Sequence, residues 1–212
     1  MKKLFVLLFV LVPVLFCFAK EQRGSLELGI GHYSITETQG VSGIKVKTKA
    51  PSIAFNLSGV ALFTDNAGIG VYGNLLLPKE FRVTAMGETI IVDRSAYDFL
   101  FAMDFLVGPT LIMFKNEKFC FPLSLGFHWY QIWANTDVSK LSSSQIGVGA
   151  NITGEYHFNS NLYVYSRFQF TFDFFSWDTI RVNRYGSSSS KSSSGNVKTL
   201  GIMPCIGIAF KF

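Results

Sequence analysis

Residues 162–174, LYVYSRFQFTFDF, alternate in character without a break. Even positions carry Leu162, Val164, Ser166, Phe168, Phe170, Phe172 and Phe174; odd positions carry Tyr163, Tyr165, Arg167, Gln169, Thr171 and Asp173. Successive side chains of a β-strand point to opposite faces, so a period of two marks a strand with one apolar and one polar side. Four of the seven residues on the apolar side are phenylalanine.

The same pattern recurs along the chain. Residues 146–158 set Ile146, Val148, Ala150, Ile152, Tyr156 and Phe158 against Gly147, Gly149, Asn151, Thr153, Glu155 and His157. Residues 53–63 and 200–212 alternate as cleanly, the last with Leu200, Ile202, Ile206, Ile208, Phe210 and Phe212 on one side. Four further segments, 25–35, 69–77, 97–113 and 119–132, alternate with blemishes such as Leu100 and Leu106 on the polar side. Eight strands are expected.

Their connections alternate in length. Three are short and rich in turn formers, around 65–68, 115–118 and 159–161; four are long, around 36–51, 78–96, 134–144 and 175–198. Within the second long connection, 82–84 and 89–92 flank Met86-Gly87-Glu88 and predict a hairpin. The fourth holds the serine-rich run 187–194, which has nothing to bury and is expected to be mobile.

The chain opens with Lys2 and Lys3 and then 16 apolar residues, Leu4 to Ala19, fewer than the roughly 20 that a spanning helix needs. A basic head, an apolar middle and a small residue read as a secretory signal over 1–19, leaving 20–212 as one domain. Cys17 raises lipidation as an alternative, but bulky Phe16 precedes it, and plain cleavage is weighed above it. Cleavage leaves 17 basic and 14 acidic residues, a net +3, too mild to point to nucleic acid. Cys120 and Cys205 then remain, with neither metal spacing nor redox motif, and two packed thiols are expected.

Alternation does not say which face is outside. The polar faces are rich in small residues and carry Glu27, Asp104, Glu155, Arg167 and Asp173, charges of both signs that suit a closed interior. Arg167 has Glu155 or Asp104 as candidate partners. Aromatic residues gather near strand ends, as a membrane-interface girdle does. The expected fold is therefore all-β: an eight-stranded antiparallel up-and-down transmembrane β-barrel. The short turns face the periplasm, and the lipid bilayer is the surrounding partner.

The terminal strand ends at Phe212, with Ile206, Ile208 and Phe210 alternating before it. That ending, the signal segment and the strand count resemble the small outer-membrane barrels of the OmpW, OmpX and OmpA-transmembrane type, a spirochaetal version included. The resemblance implies location in a bacterial outer membrane and assembly by the outer-membrane machinery through Phe212. It also implies a porin-like narrow conduit or binding pocket for small hydrophobic solutes, with rim aromatics Tyr33, Tyr72, Tyr97, Trp129 and Trp133 binding above the charged core. The alternative is a non-transporting anchor that displays its loops to an extracellular surface partner. No cofactor, metal or catalytic site is expected: His32, His128 and His157 are the only histidines, and none has an evident third group. Pro109, Pro122 and Pro204 break the strand pattern and leave strand ends open.

Overall fold

The computed structural model describes residues 21–41, 44–184 and 187–211. The signal segment, Cys17 and Phe212 lie outside the described residues. Ten strands are present: β1 (Glu21–Val41), β2 (Ile44–Leu62), β3 (Ala67–Pro78), β4 (Glu80–Ala85), β5 (Glu88–Asp93), β6 (Phe99–Lys115), β7 (Phe119–Asn135), β8 (Ser139–His157), β9 (Leu162–Arg184) and β10 (Ser187–Lys211). Every pairing is antiparallel. β1 pairs with both β10 and β2, which closes β1, β2, β3, β6, β7, β8, β9 and β10 into a ring of eight. β4 and β5 form the expected hairpin, which stands outside the ring and pairs with β2 along Val46–Lys49. Met86 and Gly87 at its tip both have positive φ, 52° and 86°, as a two-residue primed turn requires.

The apolar face is outside. Phe170 and Phe172 are 41% and 45% exposed, whereas Gln169 and Thr171 between them are 0% and 2% exposed. Ile30, Phe55, Leu57, Leu125, Val148, Ile152, Ile206 and Ile208 are exposed around the same wall, while the residues alternating with them are buried or, at several glycines, half-buried. A surface this apolar is stable in hydrocarbon and not in water.

The short turns are built by side-chain acceptors. Asn116 Oδ1 accepts from the Lys118 and Phe119 amides (2.9 and 2.7 Å), and Asn159 Oδ1 accepts from those of Asn161 and Leu162 (2.9 and 2.8 Å). Thr64 Oγ1 takes the Ala67 amide at 2.9 Å.

The expected long loops need correction. β1 runs to Val41, β7 and β8 are separated only by residues 136–138, and β9 and β10 are 23 and 25 residues long. The serine run, expected to be mobile, is strand: Ser190 pairs with Arg181, Ser192 with Thr179 and Ser194 with Trp177. Only about 10 residues are needed to cross a bilayer as a tilted strand, so these extensions rise well beyond it. The tract need bury nothing, because its backbone extends a ladder that the membrane-embedded part has already aligned. The prolines cause no uniform disruption. Pro204 points outward and its strand keeps register, whereas the shift between β6 and β7 falls at Ile112/Phe114.

Gly108 and Gly126 face each other across β6 and β7. A Cβ on Gly126 would meet Val107 O at 2.1 Å and Gly108 Cα at 2.7 Å, so these strands approach more closely than any side chain permits. The lipid-facing wall gives the first prediction. Phe170→Arg, on that wall, should destabilise the refolded barrel by about 2–4 kcal/mol in urea titrations in vesicles. A cost below about 0.5 kcal/mol would contradict the orientation.

Candidate functional site

The barrel interior changes character along its length. Nearest the short turns lie two small clusters, Leu62, Ile112 and Cys120 on one side and Tyr163, Tyr165, Cys205 and Ala209 on the other. The two thiols are not joined in a disulfide and belong to different clusters, each a buried, packed side chain.

Above them sits an ion pair. Arg167 on β9 donates through Nη2 to Glu27 Oε2 on β1, and also contacts Ser58 Oγ (3.2 Å) and, through Nε, Thr153 Oγ1 (3.3 Å). Its guanidinium carbon lies 4.8 Å from the centroid of Tyr72 on β3, the strand diametrically opposite β9, and 5.0 Å from that of Tyr165. The Arg167 side chain therefore bridges the full width of the lumen. Neither candidate partner read from the sequence is the one used: Glu155 instead bonds His157 at 3.0 Å near the short-turn end, and Asp104 lies in the next layer up.

That next layer centres on His128. Its Nε2 is 2.5 Å from Asp104 Oδ2 and its Nδ1 is 2.7 Å from Asp173 Oδ1, all three residues being wholly enclosed. Asp104 Oδ1 also accepts from Asn74 Nδ2 (2.6 Å) and Gln169 Nε2 (2.8 Å), and Asn74 reaches Gln169 across the lumen at 3.4 Å. A neutral imidazole has one N–H, so its bare nitrogen can face a carboxyl only if that carboxyl carries a proton. An imidazolium between two carboxylates and a neutral imidazole beside one carboxylic acid hold the same number of protons. Either way the triad is one unit with net charge −1. The imidazole separates the two carboxyls, so their lone pairs do not converge on a point. Among the described residues no group of His, Cys, Asp and Glu side chains can hold a metal.

Above the ionic layers the lumen turns apolar, around Tyr33, Ile35, Leu76, Leu100, Tyr130, Ile132 and Met203, with Phe81, Tyr97 and Leu141 packed against them. Leu100, which spoiled the polar face in sequence, is part of this lining. Tyr33 and Tyr130 lie with ring centroids 6.1 Å apart, and Tyr33 Oη meets Thr171 Oγ1 at 3.3 Å. Tyr97 packs edge-on against Phe81 at 5.7 Å, and its partial burial outside the membrane raises its phenol above the ordinary value.

The five aromatics expected to form one rim do not meet. Tyr33 lines the upper lumen, Tyr72 lies deeper beneath Arg167, and Tyr97 is in the roof. Trp129 and Trp133 share the outward face of β7, where Trp133 stacks on Phe101 with centroids 6.1 Å apart. The three histidines are also scattered, with His32 on the exposed outer wall and His157 beside a short turn.

No protein-family model and no curated protein sequence matches the chain. Solved structures do. OprG from Pseudomonas aeruginosa, an outer membrane protein, superposes with a TM-score of 0.57 at 11% identity, over 91% of this chain and 97% of that one. Neisserial surface protein A follows with a TM-score of 0.53 at 10% identity, over 91% and 100%. The fold is that of the small bacterial outer-membrane β-barrels. The Escherichia coli outer membrane protease OmpT gives a TM-score of 0.50 at 7% identity, over 92% and 97%. At such identities the likeness is one of fold, and it bears neither on catalysis nor on a spirochaetal origin.

The Arg167–Glu27 pair generates the second prediction. Removing one partner leaves a buried charge uncompensated, at a cost of about 3–5 kcal/mol. Arg167→Met and Glu27→Gln should each destabilise the outer-membrane barrel on that scale, and the double variant by much less than their sum. Additive losses in a double-mutant cycle would show that the pair is not coupled.

Proposed function

We propose that this outer-membrane barrel receives small apolar molecules from the outer face into its upper lumen and passes no ions. The change of polarity inside the barrel carries the reading. A wall facing water-accessible space has no need of Leu76, Leu100 and Ile132 turned inward, yet these residues line the lumen from Tyr33 upward. Below them, the Arg167 and His128 layers cross the lumen and stop an aqueous path. The binding aromatics are then Tyr33 and Tyr130, with Tyr97 in the roof; Trp129 and Trp133 belong to the lipid-facing wall.

A specific observation favours a second reading, a non-transporting anchor that presents its outer rim to a surface partner. β9 and β10, at 23 and 25 residues, overshoot the membrane by more than half their length, and β4–β5 stands beside them.

The test uses residues 20–212 refolded in vesicles. The environment-sensitive apolar dye N-phenyl-1-naphthylamine should bind saturably above empty vesicles, with no ion conductance in planar bilayers. Leu100→Glu should weaken dye binding by at least about tenfold, or 1.4 kcal/mol. Binding indistinguishable from empty vesicles would sink this reading in favour of the anchor.

A further inference from the structure

Above the apolar wall, the outward face of the barrel becomes basic. On β2, outward Leu57, Phe55, Ile53 and Pro51 are followed by Lys49, exposed and alternating with buried Ala50 and Ser52. β3 leads from Leu75 and Leu77 to exposed Lys79. On β10, Ile206, Ile202 and Leu200 lead to exposed Lys198, set between buried Val197 and Thr199. β8 and β9 reach Lys140 and Arg181, both exposed. On each of these five strands the first charged outward side chain beyond the apolar run is a cation. Among the described residues of these five strands, no acidic side chain takes such a position; exposed Asp93, Asp98 and Asp137 lie at the outer end outside them.

The ladder brings these cations together. Lys140 and Arg181 are directly opposite each other on the same face. Like charges so placed repel, and an anion seated between them removes the penalty. Lys198 and Lys47 flank Thr38 in one row, two strand spacings apart, or roughly 10 Å. The short-turn end mixes both signs, with exposed Asp65, Lys115, Glu117 and Lys118. The outer end also carries exposed Asp93, Asp98 and Asp137, but among the described residues no acidic one is paired across the ladder with Lys140, Arg181, Lys47 or Lys198. Glu80, at the foot of the hairpin, is already bonded to Arg82.

We infer that this ring of outward cations is a docking surface for the phosphate-bearing headgroups of anionic lipids in the outer leaflet. The occupant follows from continuity and charge. Below each cation the wall is immersed in acyl chains, so the next layer out along the same face is the headgroup layer. Trp133 and Trp177 sit under Lys140 and Arg181 on the same outer face, as interfacial aromatics do.

The chain's three tryptophans, Trp129, Trp133 and Trp177, lie on β7 and β9 and report on this sector. Refolded protein in phosphatidylcholine vesicles would be given a minor fraction of brominated phosphatidylglycerol or, in parallel, brominated phosphatidylcholine. Tryptophan quenching should show at least a fivefold preference for the anionic lipid, the scale of one cation at an anionic surface. The preference should fall towards unity in K140Q/R181Q and, for the unaltered protein, at high salt. Equal quenching by the two lipids at low salt would overturn the inference, as would a preference left intact in a folded K140Q/R181Q. Should that variant not fold, the salt dependence of the unaltered protein decides.

Discussion

Hydrocarbon offers a peptide group no hydrogen-bond partner, so a sheet that crosses a membrane must close on itself. In this chain closure falls to β1, whose two edges are taken by β2 and β10 from opposite ends of the sequence. Once eight strands close, the interior is just wide enough for side chains and little else. Any group pointing inward then has to find its partner within that bore. Arg167 against Glu27 and Tyr72, and His128 between Asp104 and Asp173, are solutions to that constraint. Close strand approach is another, and the Gly108–Gly126 contact exists because no side chain fits between the strands there.

The wall was legible in the sequence because its rule is local. Phe168, Phe170, Phe172 and Phe174 announce a lipid-facing strand within seven residues, and Met86-Gly87 announces a hairpin within two. The strand extensions were not legible, because the apolar alternation ends where the membrane ends. Ser187–Ser194 has no pattern of its own and takes its structure from Trp177–Arg184 across the ladder.

The interior was legible in part. Its charged members could be picked out, since each alternates with an apolar neighbour, but their pairing could not. Arg167 and Glu27 are 140 residues apart, and only the stagger of the closed ring sets which carboxylate reaches the guanidinium. For the same reason His128 stood among potential catalytic groups and not at the centre of the Asp104–Asp173 layer. The rim aromatics failed for a simpler reason. Trp129 and Trp133 share a face with Phe127, so their odd numbering on β7 already sent them to the lipid, whatever their nearness to a strand end.

The β4–β5 hairpin hangs from the ring by four residue pairs along β2 and takes no part in closure. Its length therefore enters neither the strand count nor the stagger that aligns Arg167 with Glu27. Beyond Phe81, which packs against the upper lumen, insertions and deletions toward the Met86-Gly87 tip leave the register of the ring untouched, so natural selection can remodel that tip freely. Between distant descendants of this chain, the ring would drift by substitution and the hairpin tip by gain and loss of whole residues.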